Sequence, residues 1–301
     1  MSAVTPRLRF APSPTGKLHL GSAASAIINF ALAEKMHGVC LVRIEDTDIT
    51  RCHDGFVTSI LDDLLWLGLA WPCPALRQSQ HFGRYQLALD ALRQLQVVYP
   101  CFASRSEISA AVAGNPEHPR DPDGVPLYPG LCKELSDTEI SDHLASGHQA
   151  AWRLDMDRAV ALASKLRNGR PIGYNALDGM GNLHAIAAQP ERWGDVVVAR
   201  KDTPTSCHLS VVIDDAYQGI THVVRGTDLK AATDLHCLLQ VLLRLPHPIY
   251  HHHGLILDDG RRKLSKSAQD KSLAALRSAG QKPADIRRSI AHLLQASGIS
   301  N

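Results

Sequence analysis

The chain lacks a long apolar run: no stretch of its 301 residues reaches the roughly 20 that a membrane-spanning helix needs. Met1 to Arg9 lack the apolar core of a secretory leader. There is no surplus of one charge either. With 32 Lys+Arg against 30 Asp+Glu, the formal net charge is +2. A nucleic-acid partner therefore cannot be argued from bulk charge and needs a local basic patch. The cluster Arg261, Arg262, Lys263, Lys266 and Lys271 is the candidate. The seven cysteines, at 40, 52, 73, 101, 132, 207 and 237, are odd in number and scattered. That argues against a disulfide framework and for reduced thiols in the cytoplasm. Repeats and low-complexity segments are absent. What is present is ordinary for a globular protein, 45% hydrophobic and 21% charged residues. The length suits one large α/β domain with insertions, or two domains.

Leu8–Phe10 is a short strand candidate running into a Pro/Gly loop, Ala11–Gly21. The four-residue recurrence of Ala24, Ile28, Leu32 and Met36 predicts a helix from Ser22 to His37, with Ser22 as cap and Gly38 as stop. Val39–Ile44 is apolar and β-branched, suited to a strand buried on both faces. A second helix fits Asp54–Leu67, with Ile60, Leu61, Leu64 and Leu65 inward. Strand, helix, strand, helix predicts a Rossmann-like parallel sheet with helices packed on it and right-handed crossovers. From Cys101 to Arg192 the pattern changes. Asn115–Pro129 holds five prolines and two aspartates and must be loop. Parallel-sheet character is expected to return at Val196–Ala199, Val211–Ile213 and His222–Val224. A helix at Asp228–Leu243, a strand at Ile249–Leu257 and an amphipathic helix at Asp285–Gln295 complete the reading.

Two constellations carry chemistry. The first is Arg9-Phe10-Ala11-Pro12-Ser13-Pro14-Thr15-Gly16-Lys17-Leu18-His19-Leu20-Gly21-Ser22, between the first strand and the first helix. Helix N-termini at the carboxyl ends of parallel strands aim N–H groups at phosphate. Gly16 and Gly21 would admit a nucleotide closely, and His19 can donate to a phosphate oxygen. Alone, this is also what a Pro/Gly turn with one exposed histidine looks like. The second is Lys263-Leu264-Ser265-Lys266-Ser267. Its ammonium and hydroxyl groups suit a clamp on polyphosphate, although a solvated basic loop would look the same in isolation.

Taken together and in order, the two strings resemble the signature motifs of class I aminoacyl-tRNA synthetases. Arg9–Gly16, Arg43-Ile44-Glu45-Asp46-Thr47-Asp48, and Val212-Ile213-Asp214-Asp215 followed by Gly219–Gly226 resemble the glutamyl branch. The resemblance covers residues 7–102 and 193–267. It implies an inserted α/β subdomain at 101–192 within a catalytic domain of 1–100 and 193–257. A signature-loop and helical segment at 258–301 would follow, with 34 residues after Ser267 and no anticodon-binding domain. It implies ATP and Mg²⁺, with His19, Gly21, Lys263, Ser265 and Lys266 at the nucleotide and His19, Gly21 and Lys266 in catalysis. It places Arg9, Ala11, Ser13, Glu45 and Arg225 at the glutamate-contacting positions. This fits a ligand with two carboxylates and one ammonium. Arg9 and Arg225 offer planar forks for the acids, and Glu45 an acceptor for the amine.

Two departures stand out. Cys207 replaces a tyrosine of the family, and a thiol is a poor hydrogen-bond partner. The short relatives hold zinc through Cys-x-Cys and a later Tyr-x-Gly-x-Cys. Here Cys101, Tyr128 and Cys132 are kept, but Ala103 replaces one ligand, with His118 as a possible substitute. The short tail resembles the stand-alone catalytic cores of the branch. Their implied acceptor is queuosine in the anticodon of tRNA(Asp). A truncated enzyme charging the 3′ end of tRNA(Glu), or an inactive RNA-binding paralogue, are the alternatives.

Overall fold

The computed structural model describes residues 5–256 and 272–299. The first half alternates as expected: β1 (Arg7–Phe10), α1 (Leu20–Lys35), β2 (Val39–Ile44), α2 (Asp54–Trp66), β3 (Leu76–Arg77) and α3 (Phe82–Gln94). β1, β2 and β3 are all parallel, with Leu8 opposite Cys40 and Arg43 opposite Leu76. β2 is buried on both faces, which is why its sequence is a nearly unbroken apolar run.

The middle of the chain holds β4 (Val98–Cys101), α4 (Arg105–Ala113), α5 (Asp137–Ala145), β5 (Ala151–Leu154), α6 (Met156–Leu166), β6 (Gly173–Leu177) and β7 (Leu183–Ala187). Then come β8 (Val197–Ala199), α7 (Cys207–Tyr217), β9 (His222–Gly226), α8 (Ala232–Leu242) and β10 (Ile249–His253). Short helices α9 (Leu273–Ser278), α10 (Pro283–Ser289) and α11 (Ala291–Ala296) follow. β9, β10 and β6 are parallel neighbours, and β7 is an antiparallel edge on β6. Thr221 joins the two halves: its N–H donates to the Arg7 carbonyl at 2.9 Å, while its own carbonyl accepts from Ile249 at 2.9 Å. β1 and β9 thus stand side by side at the centre, β2 follows to one side, and β10 to the other. This is a topological switch point, the place where parallel sheets open a crevice for ligands.

Several expectations need correcting. Ser22 is not the cap of α1; His19 is, its Nδ1 accepting from the Ser22 N–H at 3.3 Å. His37, not Gly38, takes the left-handed position at the other end, with φ 52. Gly38 N–H then donates to Ala33 O at 2.8 Å and His37 N–H to Glu34 O at 2.9 Å, which closes the helix. Gly38 is needed for another reason: a Cβ there would meet the Pro6 carbonyl as the chain enters β1. Ile60 and Leu64 are fully buried, but Leu65 is 60% exposed. Val211–Ile213 is helix, not strand. Ser206 caps α7, Gly219 ends it at φ 63, and the helix is buried on several sides, which hides its period. β8 belongs not to the parallel sheet but to a separate antiparallel one, β4-β5-β8. Conversely β6, from the stretch set apart as insertion, lies parallel to β10. The helix expected at Asp285–Gln295 breaks at Ile290 (φ −110, ψ 9), and its two pieces turn Ile286, Ile290, Leu293 and Leu294 into one core with Leu8 and Ile28. The strand expected over Ile249–Leu257 ends at His253, and Gly254–Ile256 continue outside it; Leu257 lies outside the described residues.

Candidate active site

The carboxyl ends of β1, β9 and β10 and the start of α1 surround a cavity of about 490 Å³. Arg9, Ala11, Ser13, His19, Gly21, Glu45 and Arg225, all singled out by sequence, line it together, as does Cys207. Lys263, Ser265 and Lys266, with Arg261, Arg262 and Lys271, lie outside the described residues. The chain on either side of them is at the cavity: Ile256 lines it, and Ser272 pairs with His19 across a bridge closed by Leu273 N–H to Leu18 O at 2.8 Å.

The head of α1 can hold phosphate. His19 sits at the head of the 16-residue α1, where unpaired N–H groups and the helix dipole favour an anion. Because His19 Nδ1 accepts from the Ser22 backbone, its proton sits on Nε2, which is 3.2 Å from the Ser22 hydroxyl. Gly226 forms part of the wall, and a Cβ there would come within 2.8 Å of Leu255 Cδ2 and also meet Asp228.

The charged residues around Arg9 and Arg225 can hold a small acid. Arg9 donates through Nε to Asp215 at 3.0 Å, and the same carboxylate oxygen accepts from Arg43 at 2.7 Å. Arg43, fully buried, also reaches Glu45 at 3.2 Å and Gln218 at 3.0 Å. Burial pushes the Glu45 carboxyl up, against the pull of Arg43 and Arg9. Burial would push Asp215 up too, but Arg9 and Arg43 hold it below the usual carboxylate range. Arg225 is different. It is 7% exposed and meets no carboxylate within 4 Å among the described residues. Its partners are neutral: Thr233 Oγ1 at 2.7 Å and His236 Nδ1 at 3.2 Å, while its Nε has none. Burial holds its guanidinium below its usual pKa. A buried cation left without a counter-ion is costly unless a ligand supplies one.

Arg43, Asp215, Thr233, His208 and His236 were not singled out by sequence as individual site residues. Arg43 and Asp215 lay inside quoted motif strings. His208 stood beside the noted Cys207, while Thr233 and His236 carried no signal, because a histidine or threonine inside an apolar helix is indistinguishable from a satisfied core residue.

The histidines around Arg225 give the fold a pH signature. Burial, then Arg225, hold His208 at about 4 and His252 at about 3. Unfolded, each would titrate near 6.5. The unfolded chain therefore binds more protons between those values, so their contribution is present above about pH 6.5 and lost as pH falls toward 4. Glu45 and Asp63, whose carboxyls burial pushes up, act with the opposite sign. The histidine part is accordingly a difference. From pH 7 to 5, the unfolding free energy of the parent protein, measured in urea, should fall more steeply than that of His208→Gln, by at most about 1.4 kcal/mol per pH unit. Parallel slopes would contradict the assignment of a neutral His208.

Away from the cavity, Cys101, Tyr128 and Cys132 do come together. Cys101 Sγ lies 3.3 Å from the Tyr128 hydroxyl, which also accepts from the Cys132 N–H at 2.8 Å. His118 does not join them; its Nε2 is 2.8 Å from the Leu127 carbonyl. The donor set is one short of the four that a structural zinc takes. Among the described residues, no group of three or more His, Cys, Asp or Glu is arranged to hold a metal.

Comparison with known proteins agrees with this geometry. Residues 5–298 match the family model of tRNA synthetases class I (E and Q), catalytic domain. A glutamyl-Q tRNA(Asp) synthetase of Rhodobacter capsulatus is 44% identical over 284 residues, 94% of this chain and 98% of that protein. A glutamate–tRNA ligase 2 of Nitrosococcus oceani is 32% identical over 97% of this chain and 60% of its own length. Among solved structures, a glutamate tRNA ligase of Elizabethkingia meningosepticum in complex with its amino acid superposes with a TM-score of 0.69 at 26% identity. That match covers 88% of this chain and 52% of the ligase, so the chain spans about half its length.

Proposed function

Because the chain belongs to the class I tRNA synthetases of the glutamate and glutamine branch, we propose that it activates L-glutamate with ATP and passes the glutamyl group to queuosine in the anticodon of tRNA(Asp). The observation that carries the amino-acid half is Arg225, a buried guanidinium with neutral partners that lines the cavity. The acceptor half is supported by the 44% identity to the Rhodobacter protein of that name over 98% of its length.

In the first step the glutamate α-carboxylate attacks the α-phosphorus of ATP, and pyrophosphate leaves. No protein nucleophile is needed; rate comes from positioning and from charges placed where charge develops. Arg225 and Arg9 hold the two acids of the ligand, and Glu45 accepts from its ammonium. His19, with its proton on Nε2, and Lys266 stabilise the phosphate oxygens. Gly21 and the head of α1 admit the nucleotide. Magnesium bound with the nucleotide would offset the polyphosphate charge beside His19 and the head of α1. In the second step a queuosine hydroxyl attacks the acyl carbon, AMP leaves, and an ester forms.

The test is ATP–pyrophosphate exchange with single amino acids. Exchange should depend on glutamate and be at least about a hundredfold weaker with glutamine, since an amide cannot satisfy donors built for a carboxylate. Equal exchange with both, or none with glutamate, would overturn the reading.

A further inference from the structure

The family tyrosine that would face the amino acid is replaced by Cys207, whose thiol cannot take over a hydroxyl's role. The next residue compensates. We infer that His208 donates its Nε2–H to the substrate's side-chain carboxylate, as the last member of a chain of hydrogen bonds that begins at Arg225; this rests on the glutamate reading of the cavity.

The chain has a direction that chemistry fixes. Arg225 can only donate, so His236 Nδ1, 3.2 Å from its NH1, must be the acceptor and carry no proton. The His236 proton is therefore on Nε2. That nitrogen lies 3.2 Å from His208 Nδ1, which must accept in its turn. The His208 proton is thereby driven to Nε2. This nitrogen makes no hydrogen bond among the described residues, and His208 lines the cavity beside Cys207 and Arg225.

The ring is held firmly. Trp193 packs edge-on against it with centroids 5.6 Å apart, and is itself tied by its indole N–H to the Ala231 carbonyl at 3.3 Å. Ser206, the cap of α7, fixes the backbone just before it. Both imidazoles stay neutral, because burial and then Arg225 disfavour their protonation. A neutral chain matters: a protonated His236 would face the guanidinium donor to donor.

The consequence is a specificity device. Arg225 and His208 both present donors and no acceptor. A carboxylate that reaches the two would satisfy both at once. The amide of glutamine would set its NH₂ against one of them, and a buried unmatched donor is strongly rejected. His208 is thus a specificity-determining residue.

Two measurements test it. In protein labelled with ¹⁵N-histidine, the signals lost in His208→Gln identify the His208 ring. The Nε2–H tautomer is expected at pH 7, and its proton should shift on adding glutamate. The Nδ1–H tautomer, or no shift, overturns the inference, and neither needs a folded phenylalanine variant. In pyrophosphate exchange, His208→Phe keeps a ring against Trp193 but has no donor. Its KM for glutamate should rise about ten- to a hundredfold with the KM for ATP unchanged, and its preference for glutamate over glutamine should fall by a similar factor. His208→Gln, which retains an N–H donor, should recover most of both. Unchanged glutamate KM and preference in His208→Phe would overturn the inference. Absence of any glutamate-dependent exchange in the parent protein would instead sink the proposed function, while the tautomer would still be read.

Discussion

Arg225→Ala is expected to raise the glutamate KM by about a hundred- to a thousandfold, the scale for removing one partner of a buried ion pair, and to leave the KM for ATP nearly unchanged. The asymmetry follows from position. Arg225, near the carboxyl end of β9, bonds to Thr233 and His236, while His19 heads α1 and bonds to Ser22. Among the described residues no carboxylate pairs with it, so its loss should cost the ligand far more than the fold. Arg225→Lys should rescue little. An ammonium cannot span Thr233, His236 and a carboxylate as the planar fork does, and being more strongly hydrated it resists burial. Kinetics of pyrophosphate exchange against both substrates decide the matter. An equal loss for glutamate and ATP would mean that Arg225 supports the cavity as a whole and does not select the amino acid.

The site was legible where its residues travel in local strings. Arg9, Ala11, Ser13, His19 and Gly21 follow one another from the end of β1 through the loop into the start of α1, and all line the cavity. Glu45 and Arg225 were reached through equally local motifs. What holds these residues in place was not legible. Asp215 lies 206 positions from Arg9, yet it orients both Arg9 and Arg43. His208 and His236 are 28 apart and meet only because α7 packs on α8. The fold divides in the same way. β1, α1, β2 and α2 could be read because each has a clear period or a run buried on both faces. α7 was misread because a helix buried nearly all round shows no period. β8 was assigned to the wrong sheet, and β6 to no sheet, because membership of a sheet is decided by partners far along the chain and leaves no mark in a segment of three to five residues.

The second large effect concerns the acceptor, and it is nearly all-or-none. Sequence-specific recognition of RNA targets unstacked loop bases whose edges are open to side chains. If the adenylate is attacked by a queuosine hydroxyl, the anticodon loop must enter the cavity, and no other part of the RNA need be near the reacting atoms. A short anticodon stem-loop carrying queuosine should then be nearly as good a substrate as whole tRNA(Asp). Phosphate contacts from Arg261, Arg262 and Lys271, which lie outside the described residues, would make its binding weaken with salt. The measurement that goes straight to this claim offers the protein ATP and radiolabelled glutamate with three RNAs: tRNA(Asp) bearing queuosine, the same tRNA with unmodified guanosine, and tRNA(Glu). Label should appear on the first alone, in the anticodon fragment after nuclease digestion; label at the 3′ end of tRNA(Glu) would contradict it.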